Sequence, residues 1–92
     1  MKNVQIDFTC LGDYEDFYAC LRENLPLPEY FGDNLDALCD VIEGELPLPL
    51  CLEFVNMQVE QLEAFEDLIA TLEELSTEIE GFSFAYFLRT YE

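Results

Sequence analysis

The sequence contains no histidine and no tryptophan, and only three of its 92 residues are basic: Lys2, Arg22 and Arg89. Without histidine there is no imidazole base, no Ser-His or Cys-His pair, and no metal site built on imidazole. Most hydrolase mechanisms are thereby excluded. Against the three cations stand 21 acidic residues, for a net charge of −18. A phosphate backbone or an anionic lipid surface would meet a repulsive field over most of this molecule, so direct contact with nucleic acid or membrane is not expected. No apolar run approaches the roughly 18 residues of a membrane helix. The opening segment is interrupted by Lys2, Asn3, Gln5, Asp7 and Thr9 where a secretion signal would be apolar. The expected location is the cytoplasm. Cysteine is sparse and widely spaced, at Cys10, Cys20, Cys39 and Cys51, with no CxxC for zinc or dithiol redox work. All four are expected to be reduced thiols, with Cys10, Cys20 and Cys51 packed in the interior.

What is present points to a folded domain. Half of the residues are apolar, and eight Phe and five Tyr supply far more burial than an acidic disordered tail possesses. Ninety-two residues suffice for one small domain, here residues 1–92. Val4, Ile6 and Phe8 alternate with polar residues, the period of a half-buried strand. Asp13 follows Gly12 as an N-cap, with Asp16 three residues on. Tyr14, Phe17, Tyr18, Leu21 and Leu25 then recur at helical spacing, until Pro26 and Pro28 break the helix. A loop runs to about Gly32. Asp33 or Asn34 can cap a second helix of about ten residues, with Leu35, Leu38, Cys39 and Ile42 as its apolar face and Gly44 as its stop. Pro47 and Pro49 lead into a second strand, Leu50 to Val55. From Asn56 to Glu80 the apolar positions Val59, Leu62, Phe65, Leu68, Ile69, Leu72, Leu75 and Ile79 fit one long helix or two short ones. Gly81 ends that stretch, and Phe82, Phe84, Tyr86 and Leu88 form a last strand, apolar on both faces. Strands joined through helices should be parallel. The expected class is α/β, a three-stranded parallel sheet covered by helices on one face, in two layers.

The informative segment is Leu25 to Gly44. Asp33, Asp36, Asp40 and Glu43 fall three, four and three residues apart, forming an acidic stripe on the exposed side of the second helix. Like charges at this spacing cost about 0.2–0.5 kcal/mol per pair, and Asp40 and Glu43 sit toward the negative end of the helix dipole. A face chosen for stability would alternate signs. On a chain this acidic, the stripe could be no more than a solvated surface. Immediately before it, however, Pro28-Glu29-Tyr30-Phe31-Gly32 sets two aromatics beside the carboxylates, as protein interfaces do. Phe31 reads equally well as core closure, whereas the hydroxyl of Tyr30 favours a wet edge.

The run Leu27-Pro28-Glu29-Tyr30-Phe31-Gly32-Asp33-Asn34-Leu35-Asp36-Ala37-Leu38-Cys39-Asp40 resembles the signature segment of the barstar family, intracellular inhibitors of barnase-type ribonucleases. A weaker likeness takes in the first strand, Leu46 to Phe54, and the Glu80-Gly81 turn into an aromatic strand. The resemblance implies a barstar-like fold and a loop and second helix that plug a nuclease active site. It puts Tyr30, Asp36 and Asp40 on contact positions, with Gly32 and Asn34 in the contacting loop and Cys39 and Glu43 beside them. The chain departs from the family at three places. Cys39 and Glu45 stand where aromatics are usual, and Ser76 stands where the family offers an acid, with Glu73, Glu74 and Glu78 nearby. Cys39 can be read as a core residue or as a small interface residue.

The expected function is therefore inhibition of a small basic ribonuclease by carboxylates set in its phosphate sites, with no enzymatic activity and no cofactor. Asp40 is expected as the deepest anchor, Asp36 at the rim and Tyr30 packed over the pocket, in a protein that is a monomer when free. An alternative is an acidic mimic of nucleic acid that blocks another DNA- or RNA-binding protein. An enzyme using Asp36 and Asp40 as paired carboxylates would need them across a cleft, and here they lie one helical turn apart on an open face. A metal site at Asp33, Asp36 and Asp40 lacks the twelve-residue calcium loop and any nitrogen or sulfur ligand at useful spacing. The charge carries its own expectation, because folding concentrates like charges that salt screens. The melting temperature should rise between low salt and about 0.5 M salt, where screening is nearly complete beyond contact distance. An unchanged value would exclude self-repulsion as a determinant of stability.

Overall fold

The computed structural model describes residues 2–9 and 11–89; the packing expected of Cys10 lies outside them. The elements run β1 (Lys2–Asp7), α1 (Tyr14–Asn24), α2 (Leu35–Gly44), β2 (Leu50–Met57), α3 (Val59–Ala64), α4 (Glu66–Glu78) and β3 (Phe82–Leu88). The three strands are parallel in the order β1-β2-β3, as expected when each pair is bridged by helices. Cross-strand register aligns Val4, Leu52 and Phe84 in one row and Ile6, Phe54 and Tyr86 in the next. These residues share a face because side chains alternate along each strand.

That face carries the core. Phe54 on the central strand stacks near Phe8, Phe17 and Phe84, with ring centroids 4.6, 5.6 and 4.9 Å away. Phe65 meets Phe8 edge-on at 5.3 Å. Helix α1 packs on β1, α4 packs on β3, and α2 leans on α4. On the outer face of the sheet Cys51, Glu53 and Val55 are half-buried, while Asn3, Gln5 and Asp7 are exposed. The molecule is thus two layers, and Cys51 stands on the open face rather than in the interior. Cys20 and Cys39 are half-buried against the core, and Cys20, Cys39 and Cys51 are all unpaired thiols.

Local chemistry explains the boundaries. Asp13 caps α1 by accepting a hydrogen bond from the Asp16 N–H at 2.9 Å, while the Asp16 carboxylate accepts from the Gly12 N–H at 3.0 Å. The stretch after β2 forms two helices, broken at Phe65. Its side chain is fully buried with φ −109° and ψ 24°, so the chain turns where this ring enters the core. Helix α3 is only six residues long, and Val59 at its start is 69% exposed, contrary to its expected place in the apolar stripe. Gln61 ties α3 to the connection between β1 and α1: its side-chain amide donates to the Phe8 and Leu11 carbonyls at 2.7 and 2.8 Å. An irregularity in the β2–β3 register, with Asn56 at φ 59°, turns Met57 back into the core, where strict alternation would have sent it to the outer face. Strand β3 is fully buried only at Phe82; Tyr86, Phe87 and Leu88 are 40–51% exposed. The strand is apolar on both faces, as expected, but it is an edge strand with no second helical layer behind it, so its far end stays exposed.

Candidate functional site

Residues 25–34 connect α1 to α2 and place the aromatic pair of the sequence motif beside the acidic helix. Phe31 is buried and packs against Tyr18, at 5.8 Å between ring centroids. Tyr30 is 75% exposed. One of the three cations holds this loop in place. Arg22, in the last turn of α1, donates to the Phe31 carbonyl at 2.8 Å and to the Asp33 carboxylate at 2.6 and 3.1 Å, with its guanidinium 5.3 Å from the Phe31 ring centre. Asp33 lies before the helix with φ 51°, a left-handed conformation that Asp tolerates better than most residues. Asp33 is therefore a loop clasp and does not belong to the acidic helical face.

Asn34 is the N-cap of α2. Its side-chain oxygen accepts from the Ala37 N–H at 2.8 Å, and its amide donates to the Gly32 carbonyl at 3.0 Å. A Cβ at Gly32 would sit 3.1 Å from the Asn34 amide nitrogen and 3.7 Å from the Ala37 Cβ, so the capping side chain would have to give by a few tenths of an ångström. The loop and the cap are thus one unit. On the helix itself Leu38, Val41 and Ile42 are buried, and Leu35 and Cys39 are half-buried. Val41 replaces Cys39 in the deep face. Asp36, Asp40 and Glu43 are all exposed.

Between the loop and α2 runs a groove of about 590 Å³, lined by Tyr30, Phe31, Gly32, Ala37, Asp40, Val41, Gly44 and Glu45. Ala37, Asp40, Val41 and Gly44 recur at helical spacing and form one wall. Of the residues expected at the site, the groove joins Tyr30, Gly32 and Asp40. Asp36 and Glu43 flank Asp40 on the solvent side, Asn34 stands behind the loop as a cap, and Cys39 turns toward α4. Burial pushes the Cys39 thiol above its ordinary range, and the charges of Glu43, Asp36, Asp40 and Glu74 add to the effect. The thiol therefore stays protonated near neutrality and is no nucleophile.

Two residues of the site were not assigned from sequence. Glu74 stands on α4, which packs against α2, and its charge adds to the upward shift of the Cys39 thiol. Ser76, by contrast, spends its hydroxyl on the Glu73 carbonyl at 2.7 Å. The second residue is Glu45, the C-cap of α2. Its carboxylate accepts a hydrogen bond from the Tyr30 hydroxyl across the mouth of the groove, which raises the Tyr30 pKa. A residue that reads in the sequence as a missing aromatic is thus a polar clasp on the exposed ring. The groove accordingly presents two carboxylates, an aromatic edge and an apolar floor, with no cation among its lining residues.

The chain matches the family described as Barstar (barnase inhibitor) over residues 1–89. It is also similar to "Putative ribonuclease inhibitor YrdF" of Bacillus subtilis (strain 168), with 36% identity over 58 residues. The matched region covers 63% of this chain and 64% of that protein.

Proposed function

This chain belongs to the Barstar family, and on that premise we propose that it is an inhibitor of a small basic ribonuclease, acting through the loop at Tyr30 to Asn34 and the exposed face of α2. Family membership and the named relative support the ribonuclease-inhibitor role. The observation that carries the mechanism is Asp40: an exposed carboxylate shared between the acidic face of α2 and the wall of the groove. An enzyme that cleaves RNA holds phosphates with cationic side chains. A carboxylate on a rigid helix can take a phosphate position and receive charge-assisted hydrogen bonds, bidentate ones from arginine. Asp36 and Glu43 extend the negative surface around it, Tyr30 supplies an aromatic rim, and the Arg22 clasp fixes the loop before binding. The net charge of −18 steers a basic partner and makes association fast and salt-sensitive. The target on this reading is barnase-like, the protein acts in the cytoplasm, and it is a monomer until it binds.

The test is RNA cleavage by a panel of small barnase-type ribonucleases while this protein is titrated in, beside Asp40→Ala and a Glu63→Ala control on α3. Wild type should inhibit stoichiometrically. Removing a charged hydrogen-bond acceptor costs about 1.5–3 kcal/mol, so Asp40→Ala should weaken inhibition by roughly ten- to a hundredfold, whereas Glu63→Ala should match wild type. Equal weakening by both substitutions would replace this mechanism with diffuse mimicry of nucleic acid.

A further inference from the structure

We propose that Glu45 determines which partner this site accepts, by receiving one arginine side chain in the groove between the Tyr30 loop and α2. This rests on the binding surface proposed above and names the group that enters it. The groove contains two carboxylates, Asp40 and Glu45, and no lining cation, so a cationic side chain of another molecule meets two anionic acceptors there and no like charge. In the free protein Glu45 is bonded to the Tyr30 hydroxyl. The phenol offers the Glu45 carboxylate a single uncharged donor, whereas a guanidinium offers two parallel N–H donors and a full positive charge, so a guanidinium displaces the phenol from Glu45 while Asp40 reinforces it across the groove. Tyr30 then offers its face to the cation. The floor suits the aliphatic stem, because Ala37 and Val41 are apolar and a Cβ at Gly44 would have nothing within 4 Å. Arginine is favoured over lysine because its planar fork bonds a carboxylate bidentately while one face stacks on the ring.

The probes are N-acetyl-arginine amide and N-acetyl-lysine amide, titrated into the intact protein while amide signals of Ala37, Gly44 and Glu45 and the Tyr30 ring are followed by NMR. The arginine probe should give saturable shifts at these residues and the lysine probe much weaker ones. Glu45→Gln should weaken the arginine response by roughly tenfold. Gly44→Ala should raise the melting temperature, since alanine suits a helix better than glycine, yet weaken the response because its methyl enters the groove. Tyr30→Phe should bind arginine at least as tightly as wild type, because the competing hydroxyl is gone. That result separates the proposal from a merely structural clasp, for which Tyr30→Phe and Glu45→Gln would behave alike. Equal responses to both probes, a wild-type response from Glu45→Gln, or an equal loss in Glu63→Gln would each overturn it. The two readings also fail separately. Inhibition of a ribonuclease that survives Glu45→Gln and Gly44→Ala at full strength would remove the arginine groove and leave Asp40 in its role. Saturable arginine binding by a protein that inhibits no ribonuclease would uphold the groove and remove the enzyme from the reading.

Discussion

Truncation of Phe54 to alanine is expected to destabilise the protein by about 3–5 kcal/mol, the range for removing a large aromatic from a packed core. Phe54 sits on the central strand, is fully buried, and has Phe8, Phe17 and Phe84 within 4.6–5.6 Å between ring centroids. Each neighbouring ring is anchored on a different element or junction: the end of β1, α1 and β3. The void therefore cannot be closed by moving one side chain. Small domains are stable by only about 5–15 kcal/mol, and this one also carries a net charge of −18. The unfolding midpoint should therefore fall well below that of wild type. Phe87→Ala is the matched control, because that ring is 51% exposed on the outer side of the edge strand, and its loss should change stability by no more than about 0.5 kcal/mol. Urea unfolding of both variants measures the difference. A Phe54→Ala midpoint close to that of Phe87→Ala would mean that the aromatic cluster is not what holds the two layers together.

Raising the pH should unfold the protein through Tyr18. Burial pushes its phenol up to about 12, with smaller contributions from Tyr14, Asp33 and Cys39. The sign follows from proton counts. Below pH 10 the tyrosine is protonated in both states and stability is unaffected. Between about 10 and 12 the unfolded chain loses this proton while the folded one keeps it, so stability falls as the pH rises, by about 2–3 kcal/mol in all. Tyr14, Cys20, Cys39 and Cys51 are also shifted upward, chiefly by burial, so the decline begins near pH 9 and runs in the same direction. Tyr18→Phe isolates the largest contribution. Among the described residues the Tyr18 hydroxyl has no hydrogen-bond partner, so its removal sacrifices no bond and relieves a buried polar atom. At pH 8 the variant should be as stable as wild type or up to about 1 kcal/mol more stable. From pH 10 to 12 its stability should fall less steeply. Parallel urea midpoints for the two proteins across that range would show that Tyr18 ionises freely in the folded state.

Much of the architecture was legible because its signals are local. Alternation in Val4 to Phe8 and the apolar run from Leu50 to Val55 mark strands, Asp13 and the Asp33-Asn34 pair mark helix starts, and the prolines mark the breaks between. Reading failed where a residue's environment comes from a distant element. Val59 has the spacing of a core position, yet it opens a six-residue helix that points it outward. Phe65 keeps the helical period, which left one long helix or two short ones open, and the break falls where its ring packs against Phe8 and Phe17. Phe87 has the composition of a buried strand residue, yet no layer covers its side of the sheet. Cys51 lies on the same uncovered face.

The candidate site divides in the same way. Sequence by itself determined its materials: the carboxylates at positions 36, 40 and 43, the aromatic pair before them, the glycine of the same loop, and the absence of opposing charge. Helical period and charge are properties of a chain segment and need no fold to be read. Tertiary structure alone decided that Asp33 pairs with Arg22, that Glu74 approaches Cys39, and that Tyr30 reaches across the groove to Glu45. These partners are 11, 35 and 15 residues apart in the sequence. They meet because the packing of α1, α2 and α4 brings the segments together, and no local pattern records that geometry.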